Sequence, residues 1–528
     1  DLSTPAPMPL RVQGGGAVRV PDTRPARAVP DIGPASERGR LRRESTAGWS
    51  VADRLLLEVR EAAGRQLRLD PAELDDDENL AFYGFDSINI TRLTADLTAL
   101  IGVRLTPDVV FAHPTLRRIR DVLLDTAGPV IESLYSDSAP SKSASSESVP
   151  AATPPAPART SSVEPGREAP VGTLEPVGEY SGDPSRIVVV GLSGRFPGAR
   201  TVEDLWAMLA AGRSAVAEAP QDRFPGARFS LGAVPGAAEF DPLFFEVSPR
   251  EAAATDPRQR LLLHEMWQAL ERGGIGPALL TQGRVGVFVG VEEGDHRELV
   301  AAADATIAGG NVSVLAARLA HFLDLRGPVM AINTACSSAL VALHEACVNL
   351  QVGECDIAIV AGAAVLSTPR DIEAMRRAGM LSAQDACRAF DSRADGIVPG
   401  EAVCAVILMR DRDAHAANLT VLARILASGV NSDGRTTGLM SPSGKAQAEL
   451  IERVNGQTGC GIGALDLVVA HGTGTALGDP IEVNALIDAT SGAPRRRRWL
   501  VSTKPNVGHC LAASGLVELR LRRGAFVR

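Results

Sequence analysis

"INTACSSALVALHEAC", residues 332–347, joins a strand-like apolar run to a helix-like one and sets a cysteine at the junction. Upstream, Val329, Met330, Ala331 and Ile332 read as a short buried strand. Downstream, Leu340, Leu343, Ala346, Cys347 and Leu350 recur with the three-and-four spacing of an amphipathic helix. Cys336 therefore falls near a helix start, where unpaired amide N–H groups and the positive end of the helix dipole stabilise a thiolate and lower a thiol pKa. Two readings stand at this point: a nucleophile with a depressed pKa, or a buried inert cysteine, the commoner fate of the residue type.

Working outward, "RIVVVG", "RVGVFVG", "DIAIVAGAAVL", "AVCAVILM" and "LDLVVAHG" alternate with helical stretches from Arg186 onward. This pattern predicts α/β layers with buried strands over 185–528. Residues 128–184 are rich in Ser, Pro and Ala and cannot bury enough apolar surface to order themselves, so they read as a disordered linker. Residues 49–127 carry three helical patterns, over "VADRLLLEVREAAG", from about Ser87, and over "TLRRIRDVLLDTA", and read as a small helical bundle. Residues 1–48 show no sustained apolar period and read as a flexible tail. Their arginines, Arg38, Arg40, Arg42 and Arg43 among them, are interspersed with acids, which favours a solvated linker over a nucleic-acid contact.

The 528 residues are 45% hydrophobic and 22% charged with a net charge of -9, the profile of a multidomain globular chain and not of a basic nucleic-acid binder. No run approaches the ~18 apolar residues of a membrane helix, so no membrane partner is expected. The beginning, "DLSTPAPMPLRVQGGG", has neither an initiating methionine nor a signal-peptide pattern and is expected to continue from something longer. Seven cysteines between Cys336 and Cys510, without C-x-x-C spacing, predict reduced thiols and a cytoplasmic setting.

In "FYGFDSINITRLTADL", Gly84 offers a turn, and Ile88, Leu93 and Leu97 form a core stripe behind Ser87. On spacing alone, Asp86 or Ser87 is a helix cap. The Gly-x-Asp-Ser-Ile pattern, in a helical unit of this size, resembles an acyl carrier protein. That resemblance implies a covalent phosphopantetheine on Ser87, a phosphopantetheinyl transferase as partner, and acyl over peptidyl cargo because Asp86 stands where peptidyl carriers more often have His. A flexible thiol of this kind visits several sites at high effective concentration.

"AHGTGTALGDP" puts His471 in a loop after an apolar run, with small residues that permit close backbone approach to a ligand. "STKPNVGHCLAASG" puts Lys504, Asn506 and His509 in another such loop. Zinc uses the same residue types, but no close ligand spacing supports a metal. Gly191 and Gly194 in "VVVGLSGRFPG" do not complete a dinucleotide fingerprint.

Together with "EFDPLFFEVSPREAAATDPRQRLLLHEMWQAL", "FDSRADGIVPGE" and "VNSDGRTTGLMSPSG", in order, these stretches resemble the ketosynthase domain of modular polyketide synthases, of the thiolase-like fold. The resemblance implies that Cys336 accepts an acyl chain from a carrier thioester and that His471 and His509 stabilise the enolate formed when a malonyl-type thioester loses carbon dioxide. It further implies that Lys504 and Asn506 position the histidines and substrate, and that the complete domain is a homodimer. A carrier followed directly by a ketosynthase, with "GFDSINI" and "GIVPGE", resembles assembly lines served by a separate acyltransferase. Asn333 and Val469 replace the family's usual Asp and Glu. The chain stops soon after His509, so the ketosynthase is expected to lack its C-terminal part. The alternatives are a chain-transferring, non-elongating ketosynthase, kept open by Val469, or a carrier fragment whose ketosynthase is inactive.

Overall fold

The computed structural model describes residues 48–135 and 186–519, apart from 68, 84, 86, 103, 104, 106, 301–305, 437, 439, 460–464 and 492–497. Most of the two expected linkers, with Arg38, Arg40, Arg42 and Arg43, lies outside these residues. Among the described residues, no helix is long and apolar enough to cross a membrane.

The N-terminal unit contains α1 (Val51–Leu67), α2 (Ser87–Ile101), the short α3 (Pro107–Ala112) and α4 (Leu116–Tyr135). Leu55 and Val59 of α1 bury against Leu93 and Leu97 of α2 and Leu116, Ile119 and Leu123 of α4. Each such side chain contributes about 1.5–3 kcal/mol by leaving water. Ser50 Oγ accepts from Asp53 N at 3.1 Å, capping the start of α1. The unit does not stop at residue 127. The chain kinks at Ala127 (φ -132°, ψ 20°) and α4 continues past Pro129. Ile131 is fully buried, and Arg54 Nη1 donates to the Tyr135 carbonyl, so packing carries the helix beyond the point where composition suggested a linker.

The C-terminal unit is built on a six-stranded sheet of order β5-β4-β6-β7-β1-β8. Its strands are β1 (Ile187–Arg195), β4 (Val285–Val291), β5 (Val329–Ile332), β6 (Ile357–Ala364), β7 (Ala402–Arg410) and β8 (Ala423–Ile425). β4 runs parallel to β5 and β6, whereas β6–β7, β7–β1 and β1–β8 are antiparallel. The strands read as continuous apolar runs because both faces are covered. Val188 and Val190 face one core, shared with α5 (Pro257–Arg272) and α6 (Val312–Phe322). Ile187 and Val189 face the other, shared with α7 (Ser338–Val352) and α10 (Ser514–Leu519). Gly191 serves this layering: a Cβ there would lie 2.3 Å from the Ala269 carbonyl of α5.

Two smaller sheets complete the strand set among the described residues. One is an antiparallel pair, β2 (Val216–Glu218) and β3 (Ser230–Gly232). The other is a parallel pair, β9 (Leu467–Val469) and β10 (Trp499–Val501), flanked in sequence by α8 (Gly444–Thr458) and α9 (Gly478–Ala489). One sequence expectation is corrected here. Val329 and Met330 are not buried but 37% exposed each, because β5 is an edge strand of the sheet.

Candidate active site

Parallel pairing explains why distant residues meet. β4 and β5 end side by side, leading to Glu292 and Cys336, and β9 and β10 end side by side, leading to His471 and Lys504. Cys336 sits between β5 and α7 on a locked turn. Ala335 adopts a left-handed φ of 54°, a conformation an alanine keeps only when its surroundings hold it. Asn333 Oδ1 accepts from Ala335 N at 3.1 Å, Thr334 N donates to Ser338 Oγ at 2.9 Å, and Ser338 Oγ donates to the Ala335 carbonyl at 2.6 Å. Asn333 thus supplies the acceptor oxygen that an Asp would supply at this position.

Cys336 Sγ lies 3.9 Å from His471 Nε2. The rings of His471 and His509 are near-perpendicular, with centroids 5.4 Å apart. The thiol and one nitrogen of each ring all lie within 4.8 Å of one another. These donors are of metal-ligating type, but the Lys504 charge, which after burial is the next cause of the depressed pKa values of both histidines, also opposes a second cation there.

The expected depression of the cysteine pKa is not found. Burial raises it, the Glu292 carboxylate adds to the rise, and Lys504 opposes. Cys336 precedes Ser337, the N-cap of α7, and desolvation of a thiolate outweighs the dipole of a helix that begins after it. His471 is open to the cleft yet has protein packed around it, and burial followed by the Lys504 charge pushes its pKa down to about 3. His509 is buried and held well below the usual histidine range by burial, Lys504 and His471, in that order. Both rings are therefore neutral near pH 7. His509 Nδ1 accepts from Leu511 N at 3.2 Å and lies 2.9 Å from Ser514 Oγ. A backbone donor on Nδ1 leaves the proton on Nε2, the atom free of these contacts.

Glu482 holds the His471 loop, its carboxylate accepting from His471 N at 2.6 Å and Gly472 N at 2.9 Å. Gly472 and Gly474 have φ of +43° and +76°, and a Cβ on Gly474 would lie 2.7 Å from Arg388 N. The close approach expected of these small residues is to other loops of the protein. His509 is clamped by the 398–400 segment: His509 N donates to the Val398 carbonyl at 2.7 Å, and Gly400 N donates to the His509 carbonyl at 2.8 Å.

Lys504 is 1% exposed and its Nζ donates to Glu518 Oε1 at 2.5 Å. Its charge reaches Cys336 and both histidines. Asn506 is not brought to the cluster. Its Nδ2 donates to the Arg213 carbonyl at 2.8 Å and its own carbonyl accepts from Ala215 N, so it fixes the segment leading to β2. Sequence reasoning missed Glu482, Glu518, Ser514 and the 398–400 clamp. The first three are ordinary helix residues in sequence, whereas "GIVPGE" contained the clamp as a Gly-Pro-Gly-rich signal. Ser87 is the first residue of α2 and its side chain lies outside the description.

Family models match in three places: the beta-ketoacyl synthase N-terminal domain at residues 184–414, its C-terminal domain at 422–521, and the phosphopantetheine attachment site at 58–123. The C-terminal part expected to be missing is thus represented over 422–521. Polyketide synthase ThaG of Burkholderia thailandensis is 41% identical over 498 residues, covering 87% of this chain and 9% of the relative. Polyketide synthase PksM of Bacillus subtilis is 35% identical over 504 residues, covering 93% of this chain and 12% of the relative. This chain therefore spans about a tenth of the length of those relatives. The ketosynthase from module 6 of the bacillaene synthase of Bacillus subtilis superposes with a TM-score of 0.60 at 37% identity, covering 63% of this chain and 60% of that one. An oxazolomycin ketosynthase domain of Streptomyces albus gives 0.60 at 35% identity, covering 63% and 62%.

Proposed function

Because this chain belongs to the beta-ketoacyl synthases of modular polyketide synthases, with a phosphopantetheine attachment domain ahead of the synthase, we propose that it elongates a polyketide by decarboxylative Claisen condensation. The observation that carries this reading is the convergence of Cys336, His471 and His509 within 4.8 Å.

In the first half-reaction, Cys336 Sγ attacks the carbonyl of an incoming acyl thioester. With its pKa raised, the resting group is a thiol, so its proton must leave as the new C–S bond forms. Neutral His471, 3.9 Å away, takes that proton and passes it to the departing thiolate as the old C–S bond breaks. In the second, a malonyl-type thioester loses carbon dioxide. His509 Nε2–H donates to its carbonyl oxygen as enolate charge develops, with His471 beside it. The enolate carbon attacks acyl-Cys336, backbone N–H groups of the 336 turn hold the oxyanion, and the Cys336 thiolate leaves and regains a proton. Both histidines reach the thiol, which favours elongation over mere chain transfer.

On the helical unit, Ser87 is the first residue of α2, within the stretch that matches the phosphopantetheine attachment site, and its residue type carries the primary alcohol that attachment needs. When attached, that group supplies a thiol that holds acyl chains as thioesters. A phosphopantetheinyl transferase, acyl and malonyl thioesters on carriers, and a separate acyltransferase are the partners. The exposed edge of β5 supports a homodimer. Intact mass spectrometry after incubation with a phosphopantetheinyl transferase and coenzyme A, and separately with a short acyl thioester, tests both sites. An adduct that persists in Ser87→Ala or in Cys336→Ala overturns the corresponding assignment.

A further inference from the structure

Glu292 lies outside the Cys336–His471–His509 cluster, at the end of the strand next to the one that leads to Cys336, and its charge acts on that thiol. It follows the last residue of β4, and Cys336 follows the end of β5, the neighbouring parallel strand, with Gly290 in register with Ile332. At this end of β4 the first turn of α7 packs without a gap: a Cβ on Gly290 would lie 2.4 Å from Ala339 N. Glu292 is two residues beyond that contact and Cys336 three residues before Ala339. Arg258 Nη1 anchors the Glu292 main chain, donating to its carbonyl at 2.5 Å, while the Arg258 guanidinium is otherwise committed to Asp256. The histidines come from loops after β9 and β10, so Glu292 stands on the β4–β5 side of the thiol.

Two carboxylates affect the charge state of Cys336, those of Glu292 and Glu518. Glu518 is paired with Lys504. Among the described residues, the Glu292 carboxylate has no hydrogen bond or ion pair, and its half-buried oxygens are not sealed from solvent. Burial, and then the neighbouring Asp371 carboxylate, raise the Glu292 pKa while the Arg258 charge lowers it, so this acidic pair favours a hydrogen-bond donor beside it and repels an added anion.

We infer that Glu292 selects the acyl chain that Cys336 accepts, favouring chains with a hydroxyl near the thioester and turning away chains that end in a carboxylate. This rests on Cys336 being the acyl acceptor. Selection by charge would also keep malonyl-type groups off the cysteine and leave them to the histidine side.

The test uses the full chain and N-acetylcysteamine thioesters of 3-hydroxybutyrate, butyrate and succinate, with Cys336 loading followed by intact mass. The unsubstituted protein is expected to load 3-hydroxybutyryl about tenfold faster than butyryl, the effect of one charge-assisted hydrogen bond, and succinyl at least about tenfold more slowly. Glu292→Gln, which removes the charge and keeps hydrogen-bonding capacity, brings succinyl up to the butyryl rate. Glu292→Leu also abolishes the hydroxyl preference. Butyryl loading of each variant reports that its site is folded. Equal loading of all three thioesters by the unsubstituted protein, or an unchanged order in both variants, overturns the inference alone. Absence of any Cys336 adduct overturns the acyl-acceptor reading and this inference with it.

Discussion

Replacing Glu518 by Gln should destabilise the α/β unit through the buried cation it strands. Lys504 is 1% exposed and its Nζ sits 2.5 Å from Glu518 Oε1. At an effective dielectric of about 20, that attraction is roughly 7 kcal/mol gross. Much of it offsets the desolvation of the two ions, so the pair adds little over an apolar pair of the same shape. Glu518→Gln keeps the shape but leaves the ammonium buried without its counter-charge, a loss of about 3–5 kcal/mol. Lys504→Met combined with Glu518→Leu removes both charges and should recover most of that loss. Urea unfolding followed by tryptophan fluorescence reads this directly. In a Trp49→Phe background the signal comes from Trp206, Trp267 and Trp499, all in the α/β unit. The single variant should lower the midpoint by about 1 M or more. A midpoint within about 0.3 M of the parent, or a double variant as unstable as Glu518→Gln, refutes the reasoning.

With His471 held down to about 3, malonyl-thioester decarboxylation should show no acid limb near pH 6.5; a protonation limb at that pH would contradict the neutral-ring mechanism. The same shift makes folding stability fall as pH drops from about 6.5 towards 3, because the unfolded chain takes up a proton there that the folded ring refuses; acid unfolding monitored by circular dichroism checks the sign. Gly508→Ala places a side chain at φ +74°, with its Cβ 2.6 Å from the Pro399 carbonyl. It should destabilise by at least about 2 kcal/mol and cut decarboxylation more than tenfold, with alkylation of Cys336 by iodoacetamide retained. Leu97→Ala, at a fully buried position of the helical unit, should lose about 2–5 kcal/mol, measured by thermal melting, and with it Ser87 modification by the transferase.

The strand-to-helix junction around Cys336 was legible in the sequence because it is local: β5 and α7 each announce themselves by their own apolar period. So were the buried strands β1, β4, β6 and β7, whose continuous apolar runs need no knowledge of neighbours. The helical unit was legible as well, except at its end, where Ile131 and Arg54 recruit a turn that composition assigned to a linker. The resemblance supplied His471 and His509 as partners of the thiol, though each alone reads as a loop histidine. Tertiary structure decided what depends on through-space neighbours. The Cys336 pKa rises because desolvation, a property of the surrounding fold, outweighs the local helix dipole. Asn506 faces Arg213 and not the cluster, a matter of which segment packs against it. Glu292 and Glu518 are unremarked acids in the chain, and only parallel strand ends and a buried lysine bring their charges to the sulfur. Sequence by itself determined which elements form and which reactive residues they carry, since periodicity and turn chemistry act over a few residues. Where those residues meet, and in what charge state, was decided by packing, because burial and Coulomb forces act between groups that the chain separates by anything from 14 positions, as for Lys504 and Glu518, to 293, as for Arg213 and Asn506.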